Sequence, residues 1–362
     1  MGEYPSGSAN LGAGGSRVAG RHARPAGDGV SPVPPDDVPP GGRPPLGGGG
    51  ALPRKARFSI ESGFRGLSRA SGAMVLVIIV AIAIFLIAKA IPALQANTEN
   101  FFTYEKWFPN ETQPKFGIAA LAFGTVLTSI IALIVAVPVA LGIALFLSHY
   151  APKRLANPLG FVVDLLAAVP SVVFGLWGRD FFVAPVRELS VWLNHYFSWL
   201  PLFDGDGPFG YSILLGSLVL AIMVLPIITS ISREVFQQTP GMNEEAALAL
   251  GATKWEMIRT AVLPYGRPGI IAAVMLGLGR ALGETIALAL TLGSVFGISF
   301  NIIENGGNSI AANIANTFGE ANETGRGALI ASGLVLFAIT LVVNMAARAI
   351  IYRRREFRDS AA

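Results

Sequence analysis

Six apolar segments constrain the fold of this chain more than any other feature. A helix needs about 20 predominantly apolar residues to cross a bilayer. The segments that qualify are 72–91, 118–147, 161–178, 211–231, 269–292 and 328–352. Charged residues make up 14% of the 362 residues, against roughly 25% in soluble domains. The sequence therefore predicts an all-α membrane protein with six transmembrane helices.

Prolines interrupt three of these segments. Pro138 and Pro226 lie inside the second and fourth, and the third contains Asp164 followed by Pro170 and Ser171. Membrane helices tolerate such residues when neighbouring groups satisfy the freed backbone. At Pro226 we expect a kink. At Pro170 and Ser171 the sequence leaves two interpretations equal, a kink or a backbone and hydroxyl contact to a transported solute.

The distribution of basic residues predicts the orientation. Of the 27 Lys and Arg residues, 20 fall in the N-terminal region, the C-terminal end and the loops on the same side of the six segments. Six fall on the opposite side, and Arg280 lies within a segment. Because basic residues are retained on the cytoplasmic side, both termini are expected to be cytoplasmic in a multi-pass protein of the bacterial plasma (inner) membrane.

The N-terminal region, 1–69, is predicted to be a disordered cytoplasmic tail. Its first fifty residues are dominated by Gly and Pro, which bury too little apolar surface to offset the entropy of ordering. Its first apolar segment starts too late for a signal peptide. The positive charge of the residues that lead into this segment is expected to retain the tail inside, in contact with anionic lipid; these residues are Arg54, Lys55, Arg57, Arg65 and Arg69. The predicted membrane domain follows over 70–355, with a short cytoplasmic tail over 356–362.

The outer loops are long, about 92–117, 179–210 and 293–327. Segment 185–200 in the second loop carries Trp192, Tyr196, Phe197 and Trp199. Aromatic residues of this kind favour the boundary between membrane and water. We therefore predict an interfacial helix there rather than a ligand site.

A polar, helix-forming loop separates the fourth and fifth apolar segments. Residues 243–264 read NEEAALALGATKWEMIRTAVLP. Asn243 is predicted as the N-cap of a first helix, and Gly251 as the left-handed residue that ends it. Thr253 and Glu256 have the spacing of a capping box that opens a second helix. This loop is therefore predicted to be a pair of short helices.

The second of these helices has an apolar face that needs a cover. Trp255, Ile258 and Val262 are predicted to share that face, and Pro264 to limit the helix. In a cytoplasmic loop a partner protein can supply the cover. The loop is thus expected to dock a soluble partner.

Arg280 and Glu284 place two charges inside the fifth apolar segment. Their spacing predicts one helix face, and Gly279 and Gly283 are expected to let another helix approach closely. A charged side chain at the bilayer centre costs roughly 2.5–3.5 kcal/mol, so we predict an aqueous path lined by this pair. The guanidinium matches phosphate or carboxylate oxygens, which indicates an anionic cargo. The alternative is a pair that only locks two helices together.

Several classes of site are excluded by the sequence. There are no cysteines, and His22, His149 and His195 are too scattered for a metal site. No lysine follows a glycine, so the chain lacks a Walker A motif. We expect a transport subunit without catalytic residues, a metal, a cofactor or a nucleic-acid partner. ATP and Mg²⁺, if used, belong to a separate ATPase chain.

The polar loop resembles the EAA loop of ABC importer permeases. The resemblance rests on EAA at 245–247, Gly251 after three residues, and Leu263-Pro264 at the end, with Ala261 where the family usually has Ile. It implies a type I (MetI-like) permease whose loop docks into an ATPase cleft. The implied coupling residues are Glu244, Glu245, Ala246, Ala247 and Gly251.

Three further segments resemble the PstC family, permease subunits of phosphate importers. They are RALGETIA at 280–287, AAVPSVVFGLWG at 167–178 and LPIITSISREVF at 225–236. The resemblance covers roughly 70–355, while the long N-terminal tail departs from it. The path residues to which we extend it are Arg280, Glu284, Thr285, Pro170 and Ser171.

The family implies a heteromeric machine. Its expected partners are a sister permease (PstA), two copies of an ATPase (PstB) and a phosphate-binding protein outside the membrane (PstS). Three alternatives stay open: a permease for sulfate, molybdate or phosphonate, an ion-coupled secondary transporter with Glu284 as its proton site, and a membrane scaffold that transports nothing.

Overall fold

The computed structural model describes residues 60–359. Its helices are α1 (Ile60–Ala96), α2 (Ala119–Leu145), α3 (Lys153–Ala167), α4 (Ser171–Trp177), α5 (Val183–Phe197), α6 (Ile213–Gln237), α7 (Gly241–Ala249), α8 (Lys254–Met257), α9 (Leu263–Leu282), α10 (Ile286–Thr291), α11 (Ile310–Thr317) and α12 (Glu323–Asp359). A short antiparallel hairpin, β1 (Trp107–Phe108) and β2 (Lys115–Phe116), follows α1. The predicted all-α membrane fold is confirmed.

Three π-helical turns extend or join helices without a break. They are Phe146–Tyr150 at the end of α2, Gly178–Phe182 between α4 and α5, and Ile258–Val262 between α8 and α9. Such turns admit one extra residue per turn and often mark functional positions. As a result α4 runs straight into α5, and α8 runs straight into α9.

In the part of the chain that the structure describes, five helices are long and apolar enough to cross a membrane. A sixth span exists only if α3 and the α4–α5 helix count as one, and these two meet at 89°. The prediction of one helix over 161–178 is therefore wrong. Pro170 has no N–H to donate, and the residue before a proline avoids helical angles, so the helix ends before Val169.

The fifth span also differs from its prediction. The single helix expected over 269–292 is broken between Leu282 and Ile286. At its other end, Pro264 does not stop the second loop helix, because the chain stays helical from Lys254 to Leu282. The π-helical turn Ile258–Val262 lies just before Pro264. An irregularity of this kind lets a helix continue through a residue that has no N–H to donate.

The core of the membrane domain lies between α2 and α6. On α2, alanines at every fourth position, Ala132, Ala136 and Ala140, form one fully buried face. They pack in one cluster with Val224 and Ile228 of α6. Small side chains allow two helices to approach closely, which explains why α6 is the most buried span, with 72% of its apolar window inside the protein.

The first span has the opposite character, since only 6% of its apolar window is buried. It begins at Ile60, so residues 60–69 of the predicted disordered tail are helical instead. The last proline before this helix is Pro53, and the stretch up to Pro92 has none to stop it. Residues 1–59 of the predicted tail lie outside the described residues.

The predicted interfacial segment 185–200 largely coincides with α5, so the helix is confirmed. Trp192 and Trp199 are more than half exposed. The position of α5 at the membrane boundary stays a prediction.

Candidate functional site

The two broken spans meet each other through glycines. A Cβ at Gly175 on α4 would lie 2.8 Å from the Cα of Ala287 on α10. A Cβ at Gly178 would lie 3.2 Å from Cγ2 of Thr291, at the end of α10. Gly178 follows Gly175 in the sequence, as Thr291 follows Ala287. The two helices therefore run in the same direction, and α4 and α10 lie side by side in parallel.

This parallel packing sets the beginnings of the two short helices at one level. Four residues before Gly175 is Ser171, the first residue of α4, and four residues before Ala287 is Gly283, in the break before α10. Backbone N–H groups at a helix start have no partner within the helix and carry partial positive charge. Residues 170–171 and 283–285, predicted from separate segments, thus come to the same region.

Glu284 does not pair with Arg280, so the prediction of one shared helix face is wrong. Gly283 follows the last residue of α9, and the chain is no longer helical at Glu284. The Glu284 side chain is buried, and its Oε1 accepts a hydrogen bond of 3.2 Å from the N–H of Ala287. Glu284 therefore caps the start of α10 rather than neutralising Arg280.

Arg280 lies in the last turn of α9 and is half-buried. Its guanidinium makes no hydrogen bond or ion pair with any residue in the described range 60–359. A guanidinium stays charged at every relevant pH and offers five donors in a planar fork. This side chain is therefore available to an anion from outside the chain.

The remaining predicted path residues are small and partly accessible. Thr285 is half-buried and donates from Oγ1 to the Gly283 carbonyl at 3.2 Å. Ser171 is half-buried and Pro170 is exposed, next to the 89° bend. The bend shows that Pro170 and Ser171 form a kink, and whether they also contact a solute stays a prediction.

Within the described residues, no other helix packs on the predicted face at Gly279 and Gly283, so close approach there stays a prediction. A Cβ at Gly279 would meet no atom within 4 Å, and one at Gly283 would meet only carbonyls of its own helix end. The close approach occurs two residues before Gly279, on the opposite side of the helix, where a Cβ at Gly277 would lie 2.9 Å from Ile228 of α6. The glycine that packs is thus on the α6 side of α9, which leaves the Gly279 side open.

The polar loop is the second part of the candidate site. α7 begins at Gly241 with Pro240 as its N-cap, so the predicted N-cap at Asn243 is wrong by three residues. Gly251 has a φ of +85° and is confirmed as the left-handed residue between the helices. Thr253 and Glu256 form the predicted capping box, with the N–H of Thr253 donating to Glu256 Oε2 at 2.7 Å.

The apolar side chains of the loop divide into two sets. Ile258 and Val262 are buried with Ala247 in a cluster that includes residues of α2 and α6, so they do not share an open face with Trp255 as predicted. The exposed set is Met242, Leu248, Leu250 and Trp255, of which Leu250 is 90% exposed. Among the predicted coupling residues, Glu245, Ala246 and Gly251 are exposed, whereas Glu244 is half-buried and Ala247 is packed.

Sequence reasoning missed one residue that contacts this loop. His149, in the π-helical turn at the end of α2, places Nε2 at 3.5 Å from Glu244 Oε1. No local sequence signal joins them, because they lie on separate helices far apart in the chain. Within the described residues, no group of three His, Cys, Asp or Glu side chains has an arrangement that could hold a metal.

Comparison with known proteins identifies the family. Residues 136–356 match the family model described as binding-protein-dependent transport system inner membrane component. The chain belongs to this family.

The similar curated proteins agree with the sequence analysis. The chain is 50% identical over 292 residues to "Phosphate transport system permease protein PstC 2" of Mycobacterium tuberculosis, covering 79% of this chain and 90% of that protein. It is 43% identical to the PstC protein of Xylella fastidiosa over 80% of this chain and 90% of that protein. A chain of a bacterial alginate ABC transporter is similar in structure, with 17% identity and a TM-score of 0.48 over 80% of this chain and 97% of that chain. The predicted membership of the PstC branch is confirmed.

Proposed function

We propose that this chain is the PstC-type membrane subunit of an ATP-driven phosphate importer and forms half of its translocation path. The observation that carries the proposal is the guanidinium of Arg280, which has no partner within residues 60–359 and lies in the last turn of α9, just before the break that precedes α10. Phosphate oxygens accept hydrogen bonds from a guanidinium fork and from backbone N–H groups at helix starts. A half-buried arginine with no internal partner is suited to pass an anion rather than to lock helices together.

The choice of phosphate among oxyanions rests on the relatives. Proteins with 38–50% identity over most of the chain are named phosphate transport system permease proteins. Sulfate and molybdate offer similar oxygens, so the geometry of Arg280 alone does not separate them. Gly175 of the PSVVFGLWG segment and Ala287 of the RALGETIA segment form the contact between α4 and α10, which supports a path built from these two segments.

The polar loop is proposed to receive force from the ATPase. Met242, Leu250 and Trp255 present exposed apolar surface outside the predicted spans, and exposed apolar patches mark interaction sites. Glu245 and Ala246 lie on the exposed part of α7. Two copies of a PstB-type ATPase hold ATP and Mg²⁺, a PstA-type sister permease forms the other half of the path, and a PstS-type binding protein delivers phosphate. The chain itself is no enzyme.

The charge bias supports a cytoplasmic position for this loop and both termini, in a protein of the bacterial inner membrane. The ion-coupled alternative used Glu284 as a proton site. That carboxylate instead accepts a hydrogen bond from the Ala287 N–H, which supports a structural role for it at the start of α10.

Cargo is tested with the purified complex of the two permeases and the ATPase in proteoliposomes with the binding protein. Phosphate is expected to raise ATP turnover, whereas sulfate, molybdate and methylphosphonate at the same concentrations leave it at the basal rate. Stimulation by one of the other oxyanions in place of phosphate would assign a different cargo. Loss of phosphate stimulation when Arg280→Ala replaces the wild-type chain would connect the cargo to this site.

A further inference from the structure

The end of α2 contacts the polar loop at two points. His149 Nε2 lies 3.5 Å from Glu244 Oε1 at the beginning of α7. The next residue, Tyr150, contacts Lys254, the first residue of α8. Nζ of Lys254 lies 4.9 Å from the centre of the Tyr150 ring. Two neighbouring residues of one span therefore contact both helices of the loop.

Ser148 holds the other nitrogen of the His149 ring. Its Oγ lies 2.7 Å from Nδ1 of His149 and 2.8 Å from the carbonyl oxygen of Ala144, one turn earlier. The ring is thus held by its own helix at Nδ1 and faces the Glu244 carboxylate with Nε2.

Burial makes this pair more than a surface contact. The side chain of His149 is 8% exposed and that of Glu244 is 26% exposed, so solvent screens their attraction only partly. The next residue, Glu245, is exposed. The two adjacent carboxylates therefore face different groups, since Glu244 contacts its own chain and Glu245 is open to a partner.

We propose that His149 is a positioning residue for coupling, which holds α7 against α2 so that both move together. This inference rests on the proposed function of the loop. α9 is joined to the loop through the continuous α8 helix, whereas α2 follows the loop only through non-covalent contacts. α2 packs along α6, and α6 in turn contacts Gly178, at the end of α4, and Gly277, on the same helix as Arg280. His149 thereby connects the loop to the region of Arg280 by a second route.

The test measures phosphate taken up per ATP hydrolysed by the reconstituted complex. His149→Ala is expected to lower this ratio about fivefold, as expected for the loss of a polar contact between moving parts. His149→Lys, which brings an ammonium group to the Glu244 carboxylate, should restore at least half of it. His195→Ala is the matched control, because this exposed histidine on α5 lies outside the loop, and it should leave the ratio unchanged.

A double-mutant cycle separates this contact from general damage. Glu244→Gln is expected to lower the ratio as His149→Ala does, and the double variant should be no worse than either single variant. A wild-type ratio for His149→Ala would overturn the proposal. So would effects that multiply in the double variant, or a His149→Lys variant as impaired as His149→Ala.

A distance measurement keeps the inference testable if a variant is inactive. The chain has no cysteines, so Phe146→Cys and Ala249→Cys can carry spin labels on the end of α2 and on α7 without background. His149→Ala should broaden the distance distribution in the full chain, and an unchanged distribution would contradict the proposal. Failure of the wild-type chain to co-purify with the ATPase would instead refute the proposed function, which this distance does not depend on.

Discussion

The two irregular regions of this chain use their freed polar groups in opposite ways. In the membrane, the helices that follow the two breaks, α4 and α10, pack on each other at Gly175, and Glu284 satisfies the Ala287 N–H. In the polar loop, the break at Gly251 is exposed, with no atom within 4 Å of a Cβ placed there. The difference teaches that the first region is organised by packing between helices and the second by local capping, so the same kind of substitution has different effects in the two.

The largest effect is expected from Arg280→Ala. Removing the free guanidinium should reduce phosphate uptake by at least about a hundredfold, since a charge-assisted contact to the anion is lost inside the path. Membrane insertion and ATPase binding should persist, because Arg280 holds no other residue of the described chain. Uptake of ³²P-phosphate into proteoliposomes is the measurement.

Arg267→Ala is the matched control for that variant, since Arg267 is exposed near the start of the same helix. It should transport at the wild-type rate. Normal uptake by Arg280→Ala would show that Arg280 does not contact phosphate during transport. The α4–α10 contact would then have only a structural role.

A smaller effect is expected from Gly175→Ala in the membrane region. The added methyl group would lie 2.8 Å from the Ala287 backbone and must push α4 away from α10. Overpacking of this kind costs about 1–3 kcal/mol. Thermal unfolding of the purified chain in detergent is expected to shift to lower temperature, and uptake should fall.

Gly142→Ala on α2 gives the comparison, because a Cβ there meets no atom within 4 Å. It should be neutral or stabilise the helix by about 0.5–1 kcal/mol. Equal stabilities for the two alanine variants would show that α4 and α10 do not touch at Gly175.

In the loop, Gly251→Ala should act through backbone conformation alone. Space is free on every side, but a φ of +85° costs an alanine about 1–2 kcal/mol. Gly241, at the start of α7, also has no atom within 4 Å of an added Cβ, and its φ is not positive. Gly241→Ala should therefore leave the stability of the loop unchanged. Uptake per ATP is expected to fall for the first variant only, and an equal fall for both would argue against a left-handed residue at Gly251.

The smallest effect is expected from Thr253→Ala, which removes the capping box at the start of α8. Loss of such a cap costs about 0.5–2 kcal/mol. Thr260→Ala removes a hydroxyl that bonds only to the Glu256 carbonyl within the helix, so it should be neutral. Hydrogen exchange of the α8 amides should rise in the first variant, and the same exchange rate in both variants would contradict the capping box.

Local signals in the sequence predicted the loop better than the membrane site. The glycine turn at Gly251 and the Thr253–Glu256 box were predictable because each depends on residues a few positions apart. The packed glycines Gly175 and Gly277 were not, since what they contact depends on where other helices lie. The Arg280–Glu284 spacing was misleading, because periodicity assumes that the helix continues beyond Gly283. His149 had no sequence signal at all.

The central claim is that ATP hydrolysis, acting through the loop, drives phosphate past Arg280. Its most direct test is phosphate uptake by proteoliposomes that contain both permeases and the binding protein, with an ATPase subunit that is either active or unable to hydrolyse ATP. Uptake is expected only with the active ATPase and ATP inside the compartment that the loop faces. Sustained, concentrative uptake without hydrolysis, driven by a proton gradient, would contradict the account.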